Sequence, residues 1–462
     1  MIRLRLALCL ILLLGAALRL PELTRTGLWL DEGVSVRKAA SPISAILSGN
    51  PADPSPPLYY LLLKGWLVLL GPGEASLRLP SLLSGLIAIF LAWLIGRRLF
   101  DEGAGLLGAA LVAVSPLQVY FSTEARMYEL QFALSLASMY FFVELLAGKP
   151  GRFLPAAYLF SSGAVVYLHN FGFAVLLVQN LYVALSLIFP GGGHKLPGKR
   201  WLILQAVLLL IYLPWLLVIF GQFTALKGGY WTPPLRFFDV FVTLKLLAGS
   251  RLLIPALLVL ALLGLKRRWG LLLLLWVILP VLIPALISIV LMPIYVTRIT
   301  VFSQAGLILL AVSGFSRLPF RVRMPMAIGL FFLAASALSG YFRTPIRQPL
   351  REVAAWLKTR EGSGQVLIHP SWYQNTLGGY YRLGPDGRGK GINAPRPVDA
   401  SASAASHYLV NCEELPEPCV FQKLGWKPVA SFPYLNFQSD RWMQLIIYQA
   451  DPSGRRDEPA AK

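Results

Sequence analysis

Charge is scarce in this sequence. Asp, Glu, Lys and Arg make up 14% of its 462 residues, where a soluble domain carries about a quarter. So little ionisable surface excludes an ordinary soluble globular protein. Acids are scarcer than bases, 22 against 42, for a formal charge of +20. The bases lie in short loops between apolar runs rather than in a basic domain with interleaved aromatics, which argues against a nucleic-acid partner. Cysteine appears 3 times. Cys9 falls in the first apolar run, and Cys412 and Cys419 bracket a short acidic, proline-rich stretch of the polar tail. That close pair is a candidate disulfide if the tail faces an oxidising compartment. It is an incomplete zinc site, having no histidine or second pair nearby.

What is abundant is apolar sequence, at 56% of residues. The run from Leu271 to Val296 holds no ionisable group except Tyr295, and exceeds the ~20 residues that cross a bilayer. The first span covers residues 5–20, with Arg19 and Pro21-Glu22 where a cleavage site would need small residues, so it reads as a retained anchor. Residues 21–76 form a long connection with an amphipathic segment, Leu58 to Leu70, that suits the membrane interface. Further spans are expected at 77–96, 104–118, 128–147, 153–168, 171–189, 201–220, 252–265, 270–291, 299–315 and 324–340, about eleven in all. Arg3, Arg5, Arg97-Arg98, Lys149, Arg152, Lys195, Lys199-Arg200, Lys266-Arg267-Arg268, Arg317, Arg321 and Arg323 then share one side. This places the N-terminus in the cytoplasm and the tail outside. Residues 1–340 are expected to be the membrane domain. Residues 341–462 read as a small extracytoplasmic α/β domain, with a helix over 351–360 and strands at 365–368 and 442–448.

Polar residues at the outer ends of spans are the candidates for chemistry. Asp31 and Glu32 follow Trp29-Leu30 just past the first span. Asp31 there reads as a general base for an acceptor hydroxyl, or as the cap of a helix starting near Gly33. Glu124 and Arg126 flank a turn before Tyr128, and read as binders of a sugar hydroxyl and a phosphate, or as a salt bridge fixing the hairpin. His169 ends the fifth span and Arg298 opens the tenth; each is a site candidate or an interfacial group. Asp53, before a proline, is a further polar contact or a turn residue. Acids with His and Arg on one face suggest a pocket that deprotonates a hydroxyl and stabilises a departing phosphate.

Several blocks resemble a known family. They are Leu28-Trp29-Leu30-Asp31-Glu32, Pro56-Pro57-Leu58-Tyr59-Tyr60, Arg78-Leu79-Pro80-Ser81, the stretch from Ser115 to Tyr128, Tyr167-Leu168-His169-Asn170-Phe171, and Pro293 to Arg298. Together they are similar to the family-39 type glycosyltransferases, which include dolichyl-phosphate-mannose protein mannosyltransferases and lipid A aminoarabinose transferases. The resemblance implies a GT-C fold and a polyprenyl-phosphate sugar donor, hexosyl or pentosyl. The acceptor would be a lipid, glycan or protein hydroxyl at the outer face of a bacterial plasma membrane. It also implies that Asp31 is the catalytic base with Glu32 beside it, and that Arg126, His169 and Arg298 hold the donor phosphate. The expected reaction is a single inverting displacement. If a divalent cation takes part, Asp31 and Glu124 are its candidate ligands. The rival reading, a transporter or flippase of a lipid-linked sugar, would call for repeated halves and ionisable groups at mid-bilayer depth.

Overall fold

The computed structural model describes residues 2–49, 55–148, 151–188, 198–225, 232–359, 366–368, 373, 375–381, 390–391, 407–412 and 427–449. The chain divides into two compact units, one of residues 1–23 and 41–341, the other of residues 24–40 and 342–462.

The described residues of the first unit form helices and the turns between them. Helix α1 (Ile2–Arg19) leads into the short α2 (Glu22–Arg25), and the next helix, α3 (Leu30–Ala40), belongs to the second unit. After α4 (Ile43–Ser48) and α5 (Leu58–Leu70) come α6 (Glu74–Leu99), α7 (Glu102–Ala113), α8 (Pro116–Ser122), α9 (Tyr128–Leu146) and α10 (Leu154–Leu168). The chain continues through α11 (Phe173–Ile188), α12 (Gly198–Ala225), α13 (Phe237–Ala248), α14 (Leu253–Leu265), α15 (Gly270–Val290), α16 (Ser303–Phe315) and α17 (Phe320–Arg343). Among the described residues, seven helices are long and apolar enough to cross a membrane, or nine if the bent pairs α7–α8 (62°) and α13–α14 (80°) each count as one. The α7–α8 bend has a local cause. Pro116 opens α8 and has no N–H to continue the preceding helix, while the Ser115 hydroxyl caps the new one by accepting from the Gln118 amide.

The count is lower than the eleven expected because α10 and α16 are apolar but short, at 15 and 13 residues. Every residue of α16 is buried. A helix enclosed by others is apolar all round, so its sequence looks like a span without having the length of one. α16 approaches α14 backbone to backbone: a Cβ on Gly314 would fall 1.8 Å from the Leu260 carbonyl oxygen. Small residues at such crossings let helices pack where lipid offers no hydrophobic drive. Large apolar side chains remain exposed along the long helices, among them Leu13, Phe160, Leu217, Leu262, Ile289 and Phe332, which is what a hydrocarbon surround requires.

The second unit holds α18 (Leu350–Lys358) and a five-stranded sheet of β1 (Val366–Ile368), β2 (Lys390–Gly391), β3 (His407–Cys412), β4 (Lys427–Asn436) and β5 (Arg441–Gln449), in the order β2-β1-β3-β5-β4. β1 runs parallel to β2 and β3, and β5 antiparallel to β3 and β4. Leu350, Val353, Ala354 and Leu357 recur at helical spacing and pack with Tyr373, Leu377, Tyr434, Leu445 and Ile447 in one core. The helix and the strands expected at 365–368 and 442–448 are present. β4 went unread because Pro428 and Pro433 argue against a strand; it lies at the sheet edge, where a missing N–H costs nothing.

Candidate active site

In the first unit the candidate residues gather at the turn between α8 and α9. The turn read from the sequence is enclosed: every residue from Ser115 to Glu129 is buried. The turn is tied from inside: Ser81 of α6 donates to the Glu124 carbonyl at 2.6 Å, and the Arg126 amide donates to the same oxygen at 2.8 Å. Glu124 is fully buried and Arg126 only 6% exposed. Charges removed from solvent are costly to bury, so a loop that keeps two of them inside marks a place where polar chemistry is wanted.

Arg126 begins a continuous line of contacts. Its Nη1 lies 3.5 Å from the Tyr60 hydroxyl on α5. Its Cζ stands 5.8 Å from the Tyr128 ring centre, within cation–π range. The Tyr128 ring in turn meets the His169 ring at 5.9 Å. His169 caps the 3-10 turn Asn170–Gly172, its Nδ1 accepting from the Phe171 amide at 3.2 Å. With Nδ1 engaged as acceptor, the neutral ring carries its proton on Nε2. Trp215 of α12 donates to the Asn170 side chain at 3.1 Å and holds the turn in place. Residues separated by more than a hundred positions thus meet: Tyr60, Arg126, Tyr128 and His169. Arg298 is half-buried on the 3-10 turn Thr297–Thr300, which packs against α13 and α15. Beside it the Tyr295 hydroxyl is 2.7 Å from Thr243 Oγ1. Burial pushes that phenol up to about 12, so it acts as a neutral hydrogen-bonding group.

Asp31 and Glu32 lie in the second unit, at the second and third positions of α3. The helix begins at Leu30 rather than near Gly33. Glu32 is fully buried and its Oε2 accepts from the Trp29 backbone N–H at 3.2 Å. This is the reach-back half of a capping box. Asp31 is partly exposed. The segment is held by the tail. Leu28 N donates to the Tyr381 hydroxyl at 2.8 Å, Leu30 N to Gln348 Oε1 at 3.2 Å, and Arg351 donates to the carbonyls of Thr24 and Arg25. Two neighbouring acids, alike in sequence, therefore differ: one closes a helix end while the other keeps access.

Sequence reading missed a second set of buried polar groups. Arg19 is fully buried and donates to Ser122 Oγ at 2.9 Å and to the carbonyls of Gly15, Val112 and Ala113. The Gln118 amide sits between the Glu129 carboxylate, at 2.9 and 3.1 Å, and the Gln304 side chain, at 2.7 Å. Gln304 reaches Ser115 and the Leu247 carbonyl. Arg78 is fully buried and donates to the Leu23 carbonyl at 2.9 Å. Gln131, one turn beyond Tyr128, has no hydrogen-bond partner for either amide atom among the described residues. The signal for all of these was ionisable or amide side chains at the ends of apolar helices.

Asp53 and Cys419 lie outside the described residues, as does the side chain of Cys412. Asp31 and Glu124, the candidate cation ligands, fall in different units. Among the described residues no three His, Cys, Asp or Glu side chains group as a metal cage.

Residues 54–218 match the family model for dolichyl-phosphate-mannose-protein mannosyltransferases. That stretch contains Tyr60, Arg126, Tyr128 and His169, the whole contact line described above, and Arg78 and Glu124 besides. No curated protein matches the sequence. Among solved structures, the chain is similar to ArnT from Cupriavidus metallidurans in the apo state, with TM-score 0.64 and 13% identity over 97% of this chain and 99% of that one. The same ArnT bound to undecaprenyl phosphate aligns with TM-score 0.56 and 14% identity, again over 97% and 99%. The archaeal oligosaccharyltransferase AglB from Archaeoglobus fulgidus, in complex with an inhibitory peptide and a dolichol-phosphate, aligns with TM-score 0.53 and 12% identity over 84% of this chain and 64% of that one. The fold is that of the GT-C glycosyltransferases. The resemblance to the protein mannosyltransferases holds over residues 54–218, and the likeness to ArnT is one of fold.

Proposed function

We propose that this protein transfers a sugar from a polyprenyl-phosphate donor to a hydroxyl of a lipid, glycan or protein at the outer face of a bacterial plasma membrane. The observation that carries the reading is the line Tyr60–Arg126–Tyr128–His169, buried up to the half-buried His169, which links a guanidinium to an imidazole through the Tyr128 ring inside the stretch matching the mannosyltransferase family. The likeness to an ArnT structure holding undecaprenyl phosphate, over nearly the full length of both chains, supports the same donor class.

The chemistry is a single displacement. The acceptor hydroxyl gives its proton to Asp31 as its oxygen bonds to the anomeric carbon. The bond from that carbon to the donor phosphate breaks, and the phosphate departs with the electron pair. Arg126 offers a fork of donors to the phosphate oxygens, and His169 offers its Nε2 proton. Arg298 is the third group proposed for donor binding. Configuration inverts because attack and departure take opposite faces, with no covalent enzyme intermediate. In this reading N-terminal α1 begins in the cytoplasm and the tail domain lies outside. The test is incubation of the purified protein with labelled polyprenyl-phosphate sugars and a membrane extract. Label should move from donor to an acceptor, and the absence of transfer from any donor would leave the transporter reading in its place.

A further inference from the structure

The helix that carries Tyr128 at its first residue ends beside a second polar feature. α9 has 19 residues, so its two ends are ~28 Å apart, about the thickness of a bilayer core. At the far end lies a cavity of about 490 Å³ lined by Arg98, Phe100, Ala147, Arg267, Arg268 and Trp269. It takes its walls from the ends of α6 and α9 and the connection between α14 and α15.

Three arginines line this cavity, and none of the residues that line it is acidic. Arg98 pairs with Glu144. Arg267 uses its guanidinium on neutral groups, the Ser316 hydroxyl at 3.0 Å and the Ser316 carbonyl at 3.2 Å. Among the described residues no carboxylate pairs with it. Arg268 lies over the Trp269 ring, with Cζ 5.1 Å from its centre. The lining therefore combines planar cationic donors with aromatic and aliphatic surface, in a volume ordinary for a ligand site. Guanidinium forks match phosphate oxygens, and the apolar wall suits a group attached to a chain.

We propose that this cavity binds a phosphate-bearing anion, presented either by an anionic lipid headgroup at the membrane surface or by free phosphate in solution. It is a site separate from the Arg126–His169 line, at the opposite end of the same helices. Its ligand is held by Arg267 and Arg268, with Arg98 fixed at the rim by Glu144.

The test uses the full-length protein in neutral detergent. Native mass spectrometry counts retained phosphatidylglycerol against phosphatidylcholine, and the thermal midpoint is followed with each lipid and with inorganic pyrophosphate. Phosphatidylglycerol should be retained and should raise the midpoint where phosphatidylcholine does not. Arg268→Gln and Arg267→Gln should each weaken retention about fivefold, from one charge removed near the surface. Arg321→Gln, an exposed base outside the cavity, should leave retention unchanged. A pyrophosphate shift without lipid preference assigns the site to a soluble anion and keeps the proposal. Should Arg267→Gln not fold, Arg268→Gln decides alone. No response to either anion, or equal loss in all three variants, would overturn it.

Discussion

Gly33 presses on Thr376. A Cβ at position 33 would lie 2.0 Å from Thr376 Oγ1 and 3.0 Å from its Cα, so the helix that presents Asp31 is seated on a turn more than three hundred residues away. The unit that carries the proposed base is built from both ends of the chain.

That seat is testable. Gly33→Val inserts atoms where backbone already stands, and overpacking of this kind costs ~1–3 kcal/mol. Turnover should fall while donor retention is kept, because the donor-binding residues lie in the other unit. A Gly33→Val enzyme with unchanged kcat would show that the position of α3 does not matter to the chemistry. Thr376→Gly should recover part of the loss when combined with Gly33→Ala.

The two acids should separate cleanly. Glu32→Ala removes the bond to the Trp29 amide and should lower stability by about 1 kcal/mol; Glu32→Gln keeps an acceptor oxygen and should retain most of the activity. Asp31→Asn should leave the thermal midpoint unchanged and abolish transfer. Steady-state kinetics beside thermal melts of the three variants decide this.

Arg126 is expected to act on the donor. Arg126→Lys keeps charge but loses the fork and the stacking geometry over Tyr128. It should reduce kcat/KM about tenfold to a hundredfold, ~1.4–2.8 kcal/mol of transition-state stabilisation. Tyr60→Phe removes a bond already long at 3.5 Å and should cost under ~1 kcal/mol. The ratio of the two effects, measured with one donor, checks that the guanidinium rather than its neighbour carries the contact.

Truncation after Tyr341 should do more than change the acceptor. The tail supplies Gln348, Arg351, Thr376 and Tyr381 to residues 24–40. Removing it should abolish transfer outright rather than redirect it to another acceptor. A truncated protein that still glycosylates, even with altered acceptor choice, would argue that Asp31 is held by other means.

How much of this was legible in the sequence follows physical lines. Helices α6, α9, α11, α12, α15 and α17 announced themselves, because length and apolarity are properties of a segment alone. The breaks before Pro116 and after α13 needed local geometry, and the shortness of α10 and α16 was hidden because enclosure by other helices and membrane insertion favour the same composition. At the candidate site, Glu124, Arg126, Tyr128 and His169 could be picked out as candidates from residue type and position at span ends. Arg19, Gln118, Glu129 and Gln304 were not, since their meaning lies in partners up to 189 residues apart. The bonding of residues 24–40 to the tail was equally hidden: nothing in the sequence near Gly33 names Thr376.

The central claim is that Asp31 takes the proton from the acceptor. Transfer of label from a polyprenyl-phosphate sugar should be followed with wild type and Asp31→Asn, with donor binding measured on the same preparations. The expected result is full donor binding with no transfer in the variant; transfer at the wild-type rate would contradict the account.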